Sequence, residues 1–245
     1  MELLEEFRLH PIIELPHVLG IDLSITKAVI VMWISVALAS LLIIHAGRRR
    51  GLVAGGLKGG VEAVLEFIRN DIVLENMGRE GLAWYPFITA LFFFILLNNL
   101  LGLVPDSFTP TSNINTTGTL AVIVFFSVII QGMVKKGPVK YWFSLVPKGV
   151  PVFLAPFLFV IELVSLLAKP LSLAIRLFAN MFAGHVVLGA FLGLIFFFGS
   201  YLIAPAPLLV TVVLRLLEIM FATIQAYIFT MLSAMYIGAS IHDEH

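Results

Sequence analysis

Apolar residues are gathered into long runs that are separated by short polar segments. The runs cover residues 28–44, 84–104, 117–133, 151–199 and 208–240. A helix that crosses a bilayer needs about 20 predominantly apolar residues, and the first three runs are close to that length. We therefore predict an all-α integral membrane protein with about five membrane-crossing or membrane-embedded helices, which form a single membrane domain over residues 1–245.

Residues 57–74 have a different pattern, because their apolar and charged positions separate at helical spacing. The apolar face comprises Val61, Val64, Leu65, Ile68 and Ile72. The polar positions are Glu62, Glu66, Arg69 and Asn70. This separation is typical of an amphipathic helix that lies at a membrane surface. We predict such a surface helix on the cytoplasmic side.

The run 151–199 is too long for a simple crossing. As one straight helix it would measure roughly 70 Å, about twice the bilayer. It must therefore either break near Lys169 and Pro170 or lie strongly tilted. Proline removes a backbone donor, which favours the break. The run 208–240 returns as the last long helix, so that the two runs are expected to form a long tilted hairpin.

Composition and charge support this class of protein. Hydrophobic residues make up 60% of the chain and charged residues 12%, and there is no cysteine, which excludes thiolate metal sites. The net charge is zero and gives no indication of nucleic-acid binding. Basic residues flank the first and third spans, at Arg48 to Arg50 and at Lys135, Lys136, Lys140 and Lys148, whereas residues 106–116 contain none. The positive-inside rule then predicts an external N-terminus and a cytoplasmic C-terminus.

Six ionisable residues interrupt the last two apolar runs. They are Glu162, Lys169, Arg176, His185, Arg215 and Glu218. A charge at the bilayer centre costs at least about 2.5 to 3.5 kcal/mol, so each one needs a partner, a water-filled space or a function. Lys169 can extend to the cytoplasmic interface. Arg176 keeps its charge at any accessible pH, and a structural alternative is an ion pair with Glu162.

A hairpin that turns near Tyr201 would sort the polar residues by depth. Arg176 with Gln225 and His185 with Glu218 have nearly the same sum of residue numbers, as residues at equal depth in an antiparallel pair must. This predicts a central layer of permanent charge and an outer layer of an acid and an imidazole, separated by roughly 10 to 14 Å. Arg215, one turn before Glu218, is expected either to contact that carboxylate or to extend outward.

Two pairs of segments resemble subunit a of the F-type ATP synthases. KPLSLAIRLFANMFAGH and EIMFATIQAYIF are similar to the family's ion-pathway hairpin, and NNLLGLVP with PTSNINTTGTLAVIVFF to its second hairpin. The pair His185 and Glu218 is exchanged relative to some bacterial members, as it is in mitochondrial ones. Asn113 stands where many members have Asp, and Arg215 has no counterpart in the family pattern.

The resemblance implies a role for each matched residue. Arg176 would face the ion-carrying carboxylates of a rotating c-ring and separate two offset half-channels. The outer half-channel would be lined by Asn180, His185, Glu218 and Gln225, and the inner one by Glu162. Arg215 is expected to modulate the pathway because of its position one turn before Glu218, and not because of the resemblance. The choice between H⁺ and Na⁺ would depend mainly on ligands of subunit c, so both ions remain open.

The resemblance also implies the assembly. The expected partners are the c-ring, the subunit b stator stalk, the remaining ATP synthase subunits and the lipid of an energy-coupling membrane, here a bacterial plasma (inner) membrane. The chain has no GxxxxGK[ST] phosphate loop, so it would be a non-catalytic proton-translocating subunit without a cofactor or metal.

Two other classes of protein compete with this interpretation. A secondary transporter or channel would use Arg176 to bind an anionic substrate, but it predicts internal repeats and broken helices. An intramembrane hydrolase would need a serine such as Ser172 close to His185. Thirteen residues of one helix separate these two, which is roughly 20 Å.

Overall fold

The computed structural model describes residues 11–13, 24–48, 56–104, 107–146, 150–151, 153–198 and 205–241. The predictions that concern Arg49, Arg50, Lys148, residues 201–204 of the turn and the tail 242–245 lie outside these ranges.

The described chain is built from helices. They are α1 (Lys27–Arg48), α2 (Leu57–Phe67), α3 (Glu75–Met77), α4 (Tyr85–Gly102), α5 (Ile114–Lys136), α6 (Pro138–Phe143), α7 (Ala155–Phe198) and α8 (Pro205–Ile241). A short antiparallel pair, β1 (Pro11–Ile13) and β2 (Ile25–Thr26), precedes α1. Within the described ranges, α1, α4, α5, α7 and α8 are long and apolar enough to cross a membrane. The predicted all-α membrane fold is thereby confirmed.

The segment predicted as a surface helix begins with α2 and continues as a π-helix over Ile68–Leu74. Ile68 and Ile72 are completely buried on its inner face, while Arg69 is exposed. At Gly238 of α8 a β-carbon would collide with the backbone oxygen of Asn76. Glycine is needed there because the last turns of α8 approach the surface segment closely.

The expected break near Lys169 and Pro170 was wrong. α7 is one continuous helix of 44 residues with Pro170 inside it, so the tilted arrangement stays the prediction for this run. Proline costs a helix one backbone hydrogen bond, but membrane helices tolerate it where neighbouring helices enclose the site. Pro170 is buried here, and Leu173 and Leu177, on the following turns, are also buried in the core.

The packing of the bundle fixes which faces of α7 and α8 remain open. α7 packs against α5 and α8, and α8 packs also against α4 and α5. The contacting faces carry buried apolar side chains such as Leu173, Leu177 and Phe229. The rest of the α7 surface exposes residues such as Leu171, Ile175 and Arg176, and α8 exposes Leu209, Val212 and Leu216. Each of these two helices therefore has one face packed in the bundle and one that the described residues leave uncovered.

Candidate functional site

Arg176 lies on the uncovered face of α7. Its own side chain is exposed, as are Ser172 and Ala179, which lie one turn away on the same side of the helix. Among the described residues Arg176 makes no hydrogen bond or ion pair, so the alternative pairing with Glu162 is not formed. A guanidinium that cannot lose its proton is thus presented on an apolar surface by a helix of membrane-crossing length.

Gln225 is predicted at the same depth as Arg176, but it lies on the buried side of α8, whereas Arg176 lies on the uncovered side of α7. The side chain of Gln225 is only 4% exposed, on the bundle side of α8. Its Nε2 has no hydrogen-bond partner among the described residues. Arg176 and Gln225 are therefore not joined by a hydrogen bond, and a buried amide donor remains unsatisfied at the centre of the hairpin.

Glu218 is held tightly against α7. A β-carbon built on Gly184 would lie 2.5 Å from the Glu218 Oε1 atom, so a side chain at that position would displace the carboxylate. Gly184 adjoins His185, and the hairpin therefore brings Glu218 to the depth that the matched residue numbers predict.

Arg215 reaches Glu218 from the same helix. Its Nη1 lies 3.3 Å from the Glu218 Oε2 and donates a second hydrogen bond, also 3.3 Å, to the Leu103 carbonyl oxygen. The two side chains are 34% and 12% exposed. The expected contact with Glu218 is formed, and it extends to the end of α4.

His185 contacts a residue that the sequence did not single out. Its Nε2 lies 2.6 Å from the Thr109 hydroxyl, which belongs to the segment between α4 and α5. A second bond from this segment runs from the Thr111 hydroxyl to Asn99 Oδ1, at 2.6 Å. Asn99 in turn donates to the Ala222 carbonyl oxygen of α8 at 3.2 Å. The connecting segment thus inserts its hydroxyl groups into the bundle.

The composition of the connecting segment carries a signal for these residues. The segment PDSFTPTSNINT is rich in turn-forming residues and lacks lysine and arginine, which is typical of an exposed turn. The same composition supplies hydroxyl and amide groups that can be buried when partners are available. Asn113 acts as the cap of α5, where its side chain accepts a hydrogen bond from the Asn115 N–H at 2.9 Å.

A cavity of about 230 Å³ lies between α7 and α8. It is lined by Asn180, Met181, Ala183, Gly184, Val187, Leu214, Leu217, Glu218 and Phe221. At about 30 Å³ for each molecule, it has room for several waters. It extends from the carboxylate of Glu218 to Asn180, one helical turn from Arg176, and most of its wall is apolar.

Glu162 and Lys169 lie on the first half of α7. Glu162 is half-buried, and its carboxylate acts on Tyr141 of α6. Burial, with a further contribution from Glu162, raises the pKa of the Tyr141 phenol. The exposed Lys169 Nζ lies 5.8 Å from the centre of the Tyr236 ring, in range of a cation–π interaction.

Within the ranges that the structure describes, no group of three or more His, Cys, Asp or Glu side chains is placed to hold a metal ion. His185 and Glu218 are instead combined with Thr109 and Arg215, which are groups that hydrogen-bond and carry charge.

The chain is similar to one family over nearly its whole length. The model of the ATP synthase A chain family matches residues 29–238. A protein named ATP synthase subunit a from Beijerinckia indica is 41% identical over 247 residues, covering 99% of this chain and 96% of that protein. Proteins of the same name from Nitrobacter winogradskyi and Rhodospirillum rubrum are 37% and 38% identical, covering 100% and 97% of each chain.

Proposed function

This chain belongs to the ATP synthase A chain family, and from that premise we propose that its Arg176 separates two proton half-channels and faces a rotating c-ring. The family supports the broader function, a proton-translocating stator subunit of the ATP synthase membrane sector. The protein is a multi-pass protein of the bacterial inner membrane.

The observation that carries the proposal is the exposure of Arg176. A permanent charge on an apolar face of a membrane helix costs at least about 2.5 to 3.5 kcal/mol. Within the described chain nothing compensates that cost, since no carboxylate pairs with the guanidinium. A partner that presents a carboxylate at the same depth would compensate it. A ring of c subunits, each with one ion-carrying carboxylate, is such a partner.

The outer half-channel is proposed to follow the cavity between α7 and α8. Glu218 and Asn180 contribute its polar lining, with His185 adjacent, and Gln225 supplies a buried amide deeper in the hairpin. A proton that arrives through this space would neutralise a ring carboxylate. That carboxylate could then turn into the lipid, where the charged form would be too costly.

The inner half-channel is proposed to begin at Glu162. After nearly a full turn a ring carboxylate would release its proton there, on the cytoplasmic side. Arg176 blocks the short path because it favours the ionised carboxylate and repels a proton. Each proton would contribute about 2.3 kcal/mol per 100 mV of membrane potential, and this work would drive rotation.

The remaining features of the assembly follow from the same proposal. The partners are the c-ring, the subunit b stator stalk and the other ATP synthase subunits. The distribution of lysine and arginine supports an external N-terminus and a cytoplasmic C-terminus.

Disulfide cross-linking tests which face of α7 meets the ring, and the absence of cysteine from the chain makes single-cysteine variants unambiguous. Ala179→Cys, which is exposed and lies one turn from Arg176 on the same side of α7, is expected to cross-link to a cysteine placed beside the carboxylate of subunit c. Leu177→Cys is the matched control, since Leu177 is completely buried. Equal cross-linking of the two, or none from Ala179→Cys in a complex that copurifies with its ring, would contradict the proposal.

A further inference from the structure

The hydrogen bond between Thr109 and His185 joins two distant parts of the chain. The two atoms, Thr109 Oγ1 and His185 Nε2, lie 2.6 Å apart. Thr109 is only 2% exposed, so bulk water cannot readily replace it as the partner of the imidazole. The bond is therefore a fixed feature of the outer layer.

Thr109 is itself held in place from two sides. Its carbonyl oxygen accepts hydrogen bonds from the Ser112 N–H at 3.0 Å and from the Ser112 hydroxyl at 2.7 Å. Its side chain occupies the space above Gly102, where an added β-carbon would collide with it. The end of α4 and the turn Pro110–Ser112 thus fix the position from which the hydroxyl approaches His185.

A hydroxyl group suits a titrating imidazole better than most partners do. It can donate a hydrogen bond to an unprotonated Nε2, and after rotation about its C–O bond it can accept one from Nε2–H. A backbone carbonyl can only accept and a backbone N–H can only donate. Thr109 can therefore keep its bond to the ring whether or not Nε2 carries a proton.

We propose that Thr109 is a positioning residue for proton transfer, which holds the His185 ring in one orientation in both protonation states. This inference rests on the proposed function, since it assumes that His185 exchanges protons in the outer half-channel. Proton transfer requires a fixed geometry, and a bond that persists in both protonation states contributes to it.

The test compares two variants that both remove the methyl group of Thr109 and differ in the hydroxyl. Thr109→Ala and Thr109→Ser both lose the methyl group, but only Thr109→Ser keeps the hydroxyl. Proton-driven ATP synthesis, measured in inverted membrane vesicles and divided by the amount of assembled complex, is expected to fall roughly tenfold in Thr109→Ala and to stay within about twofold in Thr109→Ser.

Thr117→Ala is the matched control. Thr117 is also completely buried, and its hydroxyl bonds to the backbone oxygens of Asn113 and Ile114. The Thr117→Ala variant is expected to synthesise ATP at close to the rate of the unmodified protein. The inference is overturned if Thr109→Ala matches Thr117→Ala, or if Thr109→Ser is as slow as Thr109→Ala, because the hydroxyl would then be irrelevant.

Arg176→Ala in the same vesicles distinguishes a failure of the proposed function from a failure of the role proposed for Thr109. Near-normal synthesis by Arg176→Ala would reject the proposed function itself. An inactive Arg176→Ala together with a normal Thr109→Ala would reject only the role of Thr109.

Discussion

The outer and central layers of the α7–α8 hairpin satisfy their polar groups in opposite ways. In the outer layer His185 bonds to Thr109, and Glu218 bonds to Arg215 and packs on Gly184. In the central layer the described chain provides no partner for the exposed Arg176, and the buried Gln225 amide donor is unsatisfied. Among the described residues, the polar groups of the outer layer have partners, whereas those of the central layer do not.

The outer layer therefore behaves as a site formed within this subunit, and the central layer as a site at an interface with another subunit. A polar group without a partner in apolar surroundings costs free energy, so we expect water or a partner subunit to compensate it. Substitutions in the central layer should therefore affect what happens between subunits. Substitutions in the outer layer should affect proton delivery within this subunit and be sensitive to local geometry.

The largest effect is expected from removing the central charge. Arg176→Ala should abolish proton-driven ATP synthesis while leaving assembly largely intact, and Arg176→Lys should restore little of it. An ammonium lacks the planar fork of the guanidinium and can lose its proton when buried. Lys169→Leu is the control, because Lys169 lies on the same helix but contacts Tyr236. A similar loss in both would mean that any charge lost from α7 is damaging.

Exchanging the outer pair tests whether that layer acts as a unit. His185→Glu would place two carboxylates together, and Glu218→His would leave two imidazoles and no acid, so each single variant should lose much of its pumping rate. The double variant restores one acid and one imidazole. It should recover well beyond the product of the two single losses. A double variant as slow as that product would show that the residues are not coupled.

A smaller effect is expected from crowding the outer layer without changing its chemistry. Gly184→Ala would place a methyl group against the Glu218 carboxylate and should lower the synthesis rate several-fold, by moving an acid whose function depends on its position. Gly193→Ala, on the same helix, meets no atom within 4 Å and should be nearly silent. If both variants are silent, Glu218 tolerates displacement and the outer layer is less rigid than its packing indicates.

The smallest effect is expected at the proposed inner half-channel, where the charge of Glu162 contributes to the pKa of Tyr141. The raised pKa of Tyr141 means that this phenol keeps its proton above its ordinary pKa of about 10. Its contribution to stability is therefore complete below about pH 10 and is lost as the pH rises through the raised value. Alkaline titration followed by tyrosinate absorbance should show one late-titrating group that Tyr141→Phe removes.

Glu162→Gln sharpens this measurement, because it removes the nearby charge and keeps the size of the side chain. The late group should then titrate earlier but still above the ordinary pKa, since burial is the larger cause. An unchanged titration curve would show that Glu162 does not act on Tyr141.

The sequence predicted the class of fold because long apolar runs have few physical solutions in lipid. Backbone polar groups must bond within the segment there, so runs such as 117–133 form helices almost regardless of their neighbours. The depth of Glu218 on the hairpin was predictable for the same reason, since two antiparallel helices fix the order of residues along their axes.

Only the tertiary structure decided the features that depend on packing between segments. Pro170 would end a helix in isolation, but its burial in the bundle lets α7 continue through it. The residue numbers predicted how deep each polar residue lies along the hairpin, but not the side of the helix on which it lies. Arg176 and Gln225 therefore share a predicted layer, although Arg176 is exposed and Gln225 is buried. The bond of Thr109 to His185 joins residues 76 positions apart, and local pattern carries no information about such a contact. Periodicity is a property of one segment, whereas the partner of a polar group is set by whichever segment the fold brings next to it.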